Sequence, residues 1–258
     1  MNEAWLSFTC LSRLLPSVSD LSYNFISTFN TSTFANLTHL NELRLISNMI
    51  TALPPFVDGL SSLKALSLHG NFLTSLNPPF FFSLPSLVYL DISDNFIMDI
   101  SSAPLWLPLL STLVVRNNTI TTIEGALQYL PSLTELDLSY NIITLLTNAT
   151  FSSSTGLTLL NLGSNYICSI SPDTFASLTS LLSLDLSSNP SLPPLFPGMF
   201  NGLAFLQQLI LSFSNVTSIP VGLFDGAFTV TAKYVPWQTW YYSSPSHSFE
   251  LLQQMPTL

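Results

Sequence analysis

The three histidines are the side chains best suited to acid–base catalysis or zinc binding, but their spacing supports neither. His39, His69 and His247 lie far apart, and none falls in a metal-ligand motif such as HExxH. The sequence also lacks a glycine-rich loop of the kind that holds phosphate. With no nucleophile–base pair and no metal cluster in view, the sequence predicts a protein that is not an enzyme and that needs no cofactor or metal.

The most regular acidic residues are Asp91, Asp137 and Asp185, which stand in the similar segments YLDIS, ELDLS and SLDLS. If these segments were strands stacked side by side, their carboxylates would face one side and could form a row. Val114 and Asn161 occupy the intervening places and break that row. Solvated aspartates are therefore a better interpretation than a catalytic or metal-binding set.

Five N-x-[ST] sequons provide candidate glycosylation sites, but a chain this rich in Asn, Ser and Thr contains about that many by chance. Asn36 and Asn148 are the better candidates, with Asn30 after them. Asn117 and Asn215 are poorer ones because each stands beside the repeating asparagine position described below.

The charge balance excludes nucleic acid as a principal partner. Only 5 Lys and Arg accompany 14 Asp and Glu, which gives a net charge of −9, whereas a nucleic-acid binder needs a cationic surface. The mean hydropathy of +0.47 is high. The sequence nevertheless contains no run of about 18 apolar residues, which is the length that would predict a membrane span. Glu3 and Arg13 make the first residues unlike a signal peptide.

The elements that must position these residues follow from an internal repeat. Eight asparagines recur every 23 or 24 residues. Six repeats, around Asn48 to Asn165, follow the pattern LxxLxLxxNxLxxL, which has six fixed positions. All five apolar positions hold Leu, Ile or Val in every one of these repeats, and the remaining position holds Asn. The repeating asparagines are Asn24, Asn48, Asn71, Asn95, Asn118, Asn141, Asn165 and Asn189.

Each repeat predicts one short strand and one buried asparagine. In Leu136-Asp137-Leu138 the apolar and polar residues alternate, as in a strand with one buried face. Such a short strand buries its apolar face only when it stacks on neighbours about 4.8 Å away. An amide at Asn141 can then bond backbone groups where the chain turns. We therefore expect Leu136 and Leu138 to be fully buried.

The repeats resemble the leucine-rich repeat family over about residues 16–235. A phenylalanine about ten residues after the asparagine is similar to the typical 24-residue class of Toll-like receptors, lymphocyte receptors of jawless fish and secreted proteoglycans. The resemblance implies an α/β solenoid of about nine repeats, with a parallel β-sheet on the concave face, irregular or 3₁₀ convex segments and a stack of these rings. The recurring phenylalanines are Phe34, Phe81, Phe151, Phe175, Phe200 and Phe224.

General chirality predicts a right-handed, horseshoe-like coil. Departures from the pattern are concentrated at the two ends. Pro16 and Ser19 replace leucines in the first repeat. Ser191 and Pro194 stand at expected inward positions in the eighth, and Ser214 replaces the asparagine of the ninth. End repeats lack a neighbour on one side, so weaker conformity is expected there.

The ends of the solenoid need caps, but the cysteine-rich caps of extracellular members are missing. We expect residues 1–15 to be a helical cap or the remnant of a truncated repeat. Residues 236–258 would form an aromatic cap with a mobile tail, or alternatively an aromatic platform for a sugar or a partner. Cys10 and Cys168 are about six repeats, or roughly 29 Å, apart and cannot pair. Cys168 is expected to be a semi-buried structural residue.

The resemblance implies a non-catalytic recognition module that binds a protein, or a glycan, on its concave face. Such a module would belong to a secreted or cell-surface receptor-like protein. The alternative is a structural or adhesive segment of a larger wall or matrix protein, and the chain could be part of a longer one. The candidate ligand-binding residues are the outward strand positions Glu42, Arg44, Lys64, His69, Tyr89, Asp91, Arg116, Glu135, Asp137, Tyr140 and Asp185.

Overall fold

A computed structural model describes residues 17–101 and 105–224. The predicted cap or remnant at residues 1–15 and the aromatic segment 236–258 lie outside these residues. The described chain forms a solenoid. Each turn of the solenoid, here called a rung, consists of one short strand and a return segment. The strands of the main sheet are β1 (Val18–Asp20), β2 (Glu42–Arg44), β3 (Ala65–Ser67), β4 (Tyr89–Asp91), β5 (Thr112–Val114), β6 (Glu135–Asp137), β8 (Leu159–Asn161), β10 (Ser183–Asp185) and β11 (Gln208–Ile210).

These nine strands pair in parallel, in the order β1-β2-β3-β4-β5-β6-β8-β10-β11. Strands follow the chain because each rung stacks directly on the one before it. The register places equivalent repeat positions side by side, so that Leu90 lies between Leu66 and Leu113. The predicted parallel sheet of a solenoid is therefore confirmed.

The convex side is mostly turns, as expected from the short repeat length. Two regular elements interrupt it: a five-residue helix, α1 (Pro78–Phe82), and a two-stranded parallel sheet of β7 (Leu145–Leu146) and β9 (Ser169–Ile170). The small sheet stops at β9, and on the next rung Pro194 stands at the place equivalent to Ser169, beside the buried Leu195. Proline has no N–H to donate to a strand ladder.

The core is a continuous column of leucine and isoleucine side chains. Every pattern position of the six regular repeats is buried, including Leu136 at 2 % and Leu138 at 0 % exposure. The ring stack is confirmed in the second half of the chain, where consecutive rings of Phe151, Phe175, Phe200 and Phe224 lie 6.0–6.2 Å apart. Buried Leu105 and Leu127 take the equivalent place in the rungs before this stack.

The asparagines form a hydrogen-bonded ladder along the core, hereafter the asparagine ladder. Asn141 is typical: its amide nitrogen donates to the carbonyls of Val115, Leu138 and Ser139 at 3.0–3.2 Å. Its amide oxygen accepts the backbone N–H of Ile120 at 3.0 Å. One side chain thus joins two rungs and satisfies backbone groups that are buried away from water.

The residue before each ladder position adopts a left-handed backbone conformation. Gly70 has φ +67°, but Tyr140 has φ +55° and Phe213 has φ +57°, although bulky residues rarely occupy this region. The turn is therefore imposed by the repeat and not by local residue preference. One consequence is that the side chains at this position project outward from the end of each strand.

Two expectations about single residues are wrong. Ser191 and Pro194 are exposed, and the inward places of that rung are taken by Leu192 and Leu195, one residue later. The shift follows a turn in which the N–H of Leu192 donates to the carbonyl of Asn189 at 3.0 Å. Cys168 is exposed and not semi-buried, because its place in the repeat points away from the core.

Candidate functional site

The eleven predicted binding residues lie on one side of the main sheet, hereafter the concave surface. Glu42, Tyr89 and Glu135 share one column of the register. Arg44, Asp91, Asp137 and Asp185 share the next, each two turns of the solenoid from the one before. Each of these side chains is exposed or half-buried, because the leucines between them point into the core.

The aspartate column has a structural role that the sequence argument missed. One carboxylate oxygen of Asp91 accepts the backbone N–H of Ser93 at 2.9 Å. Asp137 and Asp185 each accept the N–H two residues on in the same way, at 2.9 and 2.8 Å. Asn161 makes the same bond with Gly163 at 3.0 Å. These bonds close the turns after these four strands, so the aspartates are caps of the backbone as well as surface charges.

The signal for this role was present in the sequence. A short acidic or amide side chain two residues before serine or glycine is typical of an Asx turn, and LDIS, LDLS and LNLG all contain it. Within the described part of the chain, no group of three or more His, Cys, Asp or Glu side chains is placed to hold a metal ion.

A polar cluster forms where the third and fourth strands end. Nδ1 of His69 lies 2.9 Å from Oγ of Ser93 and 3.1 Å from a carboxylate oxygen of Asp94. The Ser93 hydroxyl donates to Asp91 at 2.5 Å, and the Asn117 amide donates to Asp94 at 2.5 Å. Both partners of the imidazole approach the same ring nitrogen, whereas a relay base uses one nitrogen for the nucleophile and the other for its orienting carboxylate. The cluster links the ends of these strands through side-chain contacts.

Arg116 and Tyr140 form a contact pair on the concave surface. The guanidinium carbon of Arg116 lies 4.2 Å from the centre of the Tyr140 ring, within the range of a cation–π interaction. Both side chains are exposed, and Tyr140 is held outward by its left-handed backbone. Arginine and tyrosine are enriched among residues that dominate binding energy at protein interfaces.

Tyr89 is the second exposed tyrosine of the surface. Partial burial raises the pKa of its phenol, and the charge of Asp91 together with a hydrogen bond to that carboxylate raises the pKa further. The phenol therefore stays a neutral donor at physiological pH.

The remaining predicted residues do not join the central cluster. Arg44 is paired with Glu42 at 2.6 Å and approaches Asp20 at 3.7 Å, at the edge formed by the first two strands. Hydrogen bonds from Ser22, with a smaller effect of Arg44, lower the pKa of Asp20. Hydrogen bonding and the charge of Glu42 raise the pKa of Arg44. One guanidinium thus faces two carboxylates, which leaves a net charge of −1 in this group.

Lys64 and Glu135 are exposed near the two sides of the cluster, and a carboxylate oxygen of Glu135 lies 3.5 Å from the Thr112 hydroxyl. Asp185 lies apart, toward the far end of the sheet. The glycosylation candidates Asn30, Asn36 and Asn148 are all exposed. In the part of the chain that the structure describes, no helix is both long enough and apolar enough to span a lipid bilayer.

Comparison with known proteins agrees with this architecture. A family model described as "Leucine rich repeat" matches residues 20–71, 61–106, 101–143, 131–190 and 155–216. No protein with a curated description matches the sequence.

Three solved structures are similar. An internalin (inlF) from Listeria monocytogenes has 29% identity over 82% of this chain, with a TM-score of 0.62. The TLR13–ssRNA13 complex has 28% identity over 76%, with a TM-score of 0.67. The Leptospira interrogans LRR protein LIC12759 has 31% identity over 74%, with a TM-score of 0.65. The match spans 59%, 32% and 48% of those chains, respectively.

Proposed function

This chain belongs to the leucine-rich repeat family, and we propose that it is a non-catalytic recognition module that binds a protein partner on its concave surface. Leucine-rich repeats typically serve as protein-interaction modules. The observation that carries the proposal is the Arg116–Tyr140 pair, exposed at the centre of a rigid parallel sheet.

The concave surface is organised before any partner arrives. The asparagine ladder fixes the backbone after the strands, and the aspartate caps add to it after the strands that contain them, so the positions of the surface side chains are defined in advance. The ring of Tyr140 and the phenol of Tyr89 offer stiff contact area with few rotatable bonds. Preorganisation lowers the entropy that a partner must overcome on binding.

The charge of this surface supports a protein partner over nucleic acid. Its described positions carry seven carboxylates and three cations. The carboxylates belong to Asp20, Glu42, Asp91, Asp94, Glu135, Asp137 and Asp185, and the cations to Arg44, Lys64 and Arg116. TLR13 was solved with an RNA, but phosphate recognition requires clustered cations, and here carboxylates outnumber them. We therefore extend only the recognition role to this chain.

We propose an extracellular or cell-surface location as part of the same function. Support comes from the exposed sequon asparagines Asn36 and Asn148 on the convex side, and from a surface rich in Ser, Thr and Asn with little Lys and Glu. Expression through a eukaryotic secretory pathway should add glycan mass that an endoglycosidase removes and that combined Asn36→Gln and Asn148→Gln changes reduce. Secreted protein with no added mass at these residues contradicts this assignment.

The binding proposal is tested with matched variants on the two faces. A partner is recovered by cross-linking to the chain on its source cells, and its dissociation constant is then measured with purified components. Tyr89→Ala, Arg116→Ala and Glu135→Ala should each weaken binding by about fivefold or more. Phe82→Ala, Trp106→Ala and Phe205→Ala, at exposed convex positions, are the controls. If the controls weaken binding and the concave changes do not, the concave assignment is wrong.

A further inference from the structure

Gly163 stands on the concave surface just after β8, and the equivalent places on the two neighbouring rungs hold Ser139 and Ser187. Backbone bonds place the three residues side by side. The N–H of Tyr140 donates to the carbonyl of Gly163 at 3.0 Å, and the N–H of Ser164 donates to the carbonyl of Ser187 at 2.8 Å. A position without a side chain therefore lies between two serines.

Three oxygen atoms converge over this glycine. A Cβ placed on Gly163 would lie 3.1 Å from Oγ of Ser187, 3.2 Å from Oδ1 of Asn161 and 3.4 Å from Oδ1 of Asp185. The Asn161 oxygen already accepts the N–H of Gly163 at 3.0 Å, and the Asp185 oxygen accepts the N–H of Ser187 at 2.8 Å. Both oxygens keep a second lone pair for another donor. All three side chains are half-buried, so they are partly open to solvent.

The hydroxyl of Ser139, on the rung before Gly163, lacks a hydrogen-bond partner. Ser139 is 2% exposed, and its Oγ bonds to no group in the part of the chain that the structure describes. The equivalent hydroxyl of Ser93, by contrast, donates to Asp91. Buried hydroxyls are usually paired, so this one marks a place where a polar group is missing.

The charge around these oxygens is negative and not neutralised. The register of the sheet places Asp137 on one side of Asn161 and Asp185 on the other. Among the described residues, neither carboxylate has a basic side chain within 4.0 Å. Unpaired carboxylates at the surface attract a cation of a partner.

Leu159 adds apolar surface beside the oxygens. It lies in β8 two residues before Asn161, so both side chains point to the same face of the sheet. Its side chain is 43% exposed, although most leucines of this chain point into the core. Apolar surface next to a carboxylate suits a side chain with a long methylene stem and a charged end.

The arrangement of the oxygens distinguishes between cations. Calcium takes about six to eight oxygen ligands, and within the described residues no group of three or more His, Cys, Asp or Glu side chains is placed to hold a metal. A guanidinium presents its donors in a planar fork that matches one carboxylate. An ammonium carries three N–H donors around one nitrogen and so matches three acceptors that surround one point.

We propose that the protein partner seats a lysine side chain over Gly163. The ammonium donates to the oxygens of Asn161, Asp185 and Ser187, and the methylene stem packs on Leu159. This inference rests on the concave binding proposed above, and it adds the kind of side chain that the partner presents to β8 and β10.

Titration of the isotopically labelled full chain, followed by proton–nitrogen correlation NMR, tests the site. The probe is the peptide Gly-Ser-Lys-Ser-Gly, acetylated at its N-terminus and amidated at its C-terminus, so that its lysine supplies the one ammonium. It should shift the backbone amide signals of Gly163 and Ser187 in a saturable way, with a dissociation constant of about 10 mM or lower. The same peptide with arginine should bind about threefold more weakly or worse. With acetyl-lysine, which has no ammonium, it should cause no shift at these signals.

Four variants separate the site from the general charge of the chain. Asp185→Asn should weaken the lysine peptide by about threefold or more, and Asn161 shows that an asparagine keeps the turn bond without the charge. Gly163→Ala retains every charge but places a methyl group among the oxygens, and it should weaken the peptide by a similar factor. Asn161→Asp adds a carboxylate and should tighten binding by about threefold. Asp58→Asn, exposed on the convex side, is the matched control and should change nothing.

Circular dichroism melts establish that each variant is folded. If Gly163→Ala unfolds, Ser187→Ala replaces it and should also weaken the peptide. The proposal is overturned if about 20 mM lysine peptide produces no saturable shift at Gly163 and Ser187. It is also overturned if the acetyl-lysine or arginine peptide binds as tightly, if Asp185→Asn or the Gly163 variant has no effect, or if Asp58→Asn weakens binding equally.

This test and the test of concave binding can fail separately. The peptide titration uses no partner and changes none of Tyr89, Arg116 and Glu135. If those three residues prove important for the partner while the lysine peptide does not bind, the lysine site alone is wrong. If the peptide binds as described while the partner depends on the convex side, the concave proposal is wrong and the lysine site is not its anchor.

Discussion

At the scale of single residues, the asparagine ladder is the feature with the clearest energetic consequence. Removing the Asn141 side chain leaves the buried N–H of Ile120 without a partner. The carbonyls of Val115 and Leu138 each lose one donor but keep the amides of Asn118 and Asn165. We expect Asn141→Ala to lower the free energy of unfolding by about 1–3 kcal/mol, since one buried N–H is left unsatisfied. Urea denaturation followed by circular dichroism measures it, with exposed Asn148→Ala as the control.

The ninth repeat supplies an internal comparison for this prediction. Ser214 stands at the ladder position, and its hydroxyl donates to the carbonyl of Leu186 at 2.6 Å and accepts the N–H of Asn189 at 3.4 Å. A hydroxyl therefore replaces part of the amide network. Asn141→Ser should be more stable than Asn141→Ala and less stable than the parent. If Asn141→Ala unfolds at the same urea concentration as the parent, the ladder contributes nothing measurable.

The aspartate caps lead to a second residue-scale prediction. Asn161 makes the same turn bond as Asp137 without a negative charge. Asp137→Asn should therefore keep the parent stability, whereas Asp137→Ala should cost about 1 kcal/mol. Thermal or urea unfolding separates the two variants. Equal losses for Asn and Ala would mean that the charge, and not the hydrogen bond, is what matters at this position.

Single residues also show how far the sequence could predict the structure. All 36 pattern positions of the regular repeats are buried as expected, because periodic leucines and asparagines leave one way to stack. The inward shift to Leu192 and Leu195 was not predicted, since it depends on the backbone path after Asn189. The pairing of Arg116 with Tyr140 was also not predicted, although both residues had been assigned to the right surface. A repeat pattern determines which face a side chain occupies, but not which neighbour it contacts.

At the scale of elements, the convex ring stack determines how tightly the return segments pack. Phe175 lies between Phe151 and Phe200, with ring centres 6.1 and 6.0 Å away. Phe175→Ala should reduce the free energy of unfolding by about 3–5 kcal/mol, because it opens a cavity between two rings. Leu105 and Leu127 fill the equivalent place in other rungs.

These native leucines make Phe175→Leu the matched control for that prediction. It should retain most of the stability, because a leucine of this kind already packs under the convex side elsewhere in the chain. Urea denaturation of the two variants gives the comparison. Equal destabilisation by Leu and Ala would show that ring stacking itself, and not the filled volume, holds the return segments together.

At the scale of the whole molecule, each rung contacts only the rungs beside it, so stability should vary along the solenoid. Burial already varies in this way: Leu113 and Leu136 in β5 and β6 are almost completely buried, whereas β1 and β11 contain no buried residue. Amide hydrogen exchange measured by mass spectrometry should therefore be slowest in β5 and β6 and fastest in β1 and β11.

A mid-array substitution shows how far the rungs act together. Leu138→Ala removes a fully buried side chain and should cost about 2–5 kcal/mol. If stability is passed between neighbours only, faster exchange should appear first in β6 and in its partners β5 and β8, and should weaken with each further rung. Uniform acceleration along the chain would instead mean that the solenoid opens as one cooperative unit. In that case a partner held on the concave surface stabilises every rung equally and not only the rungs that it contacts.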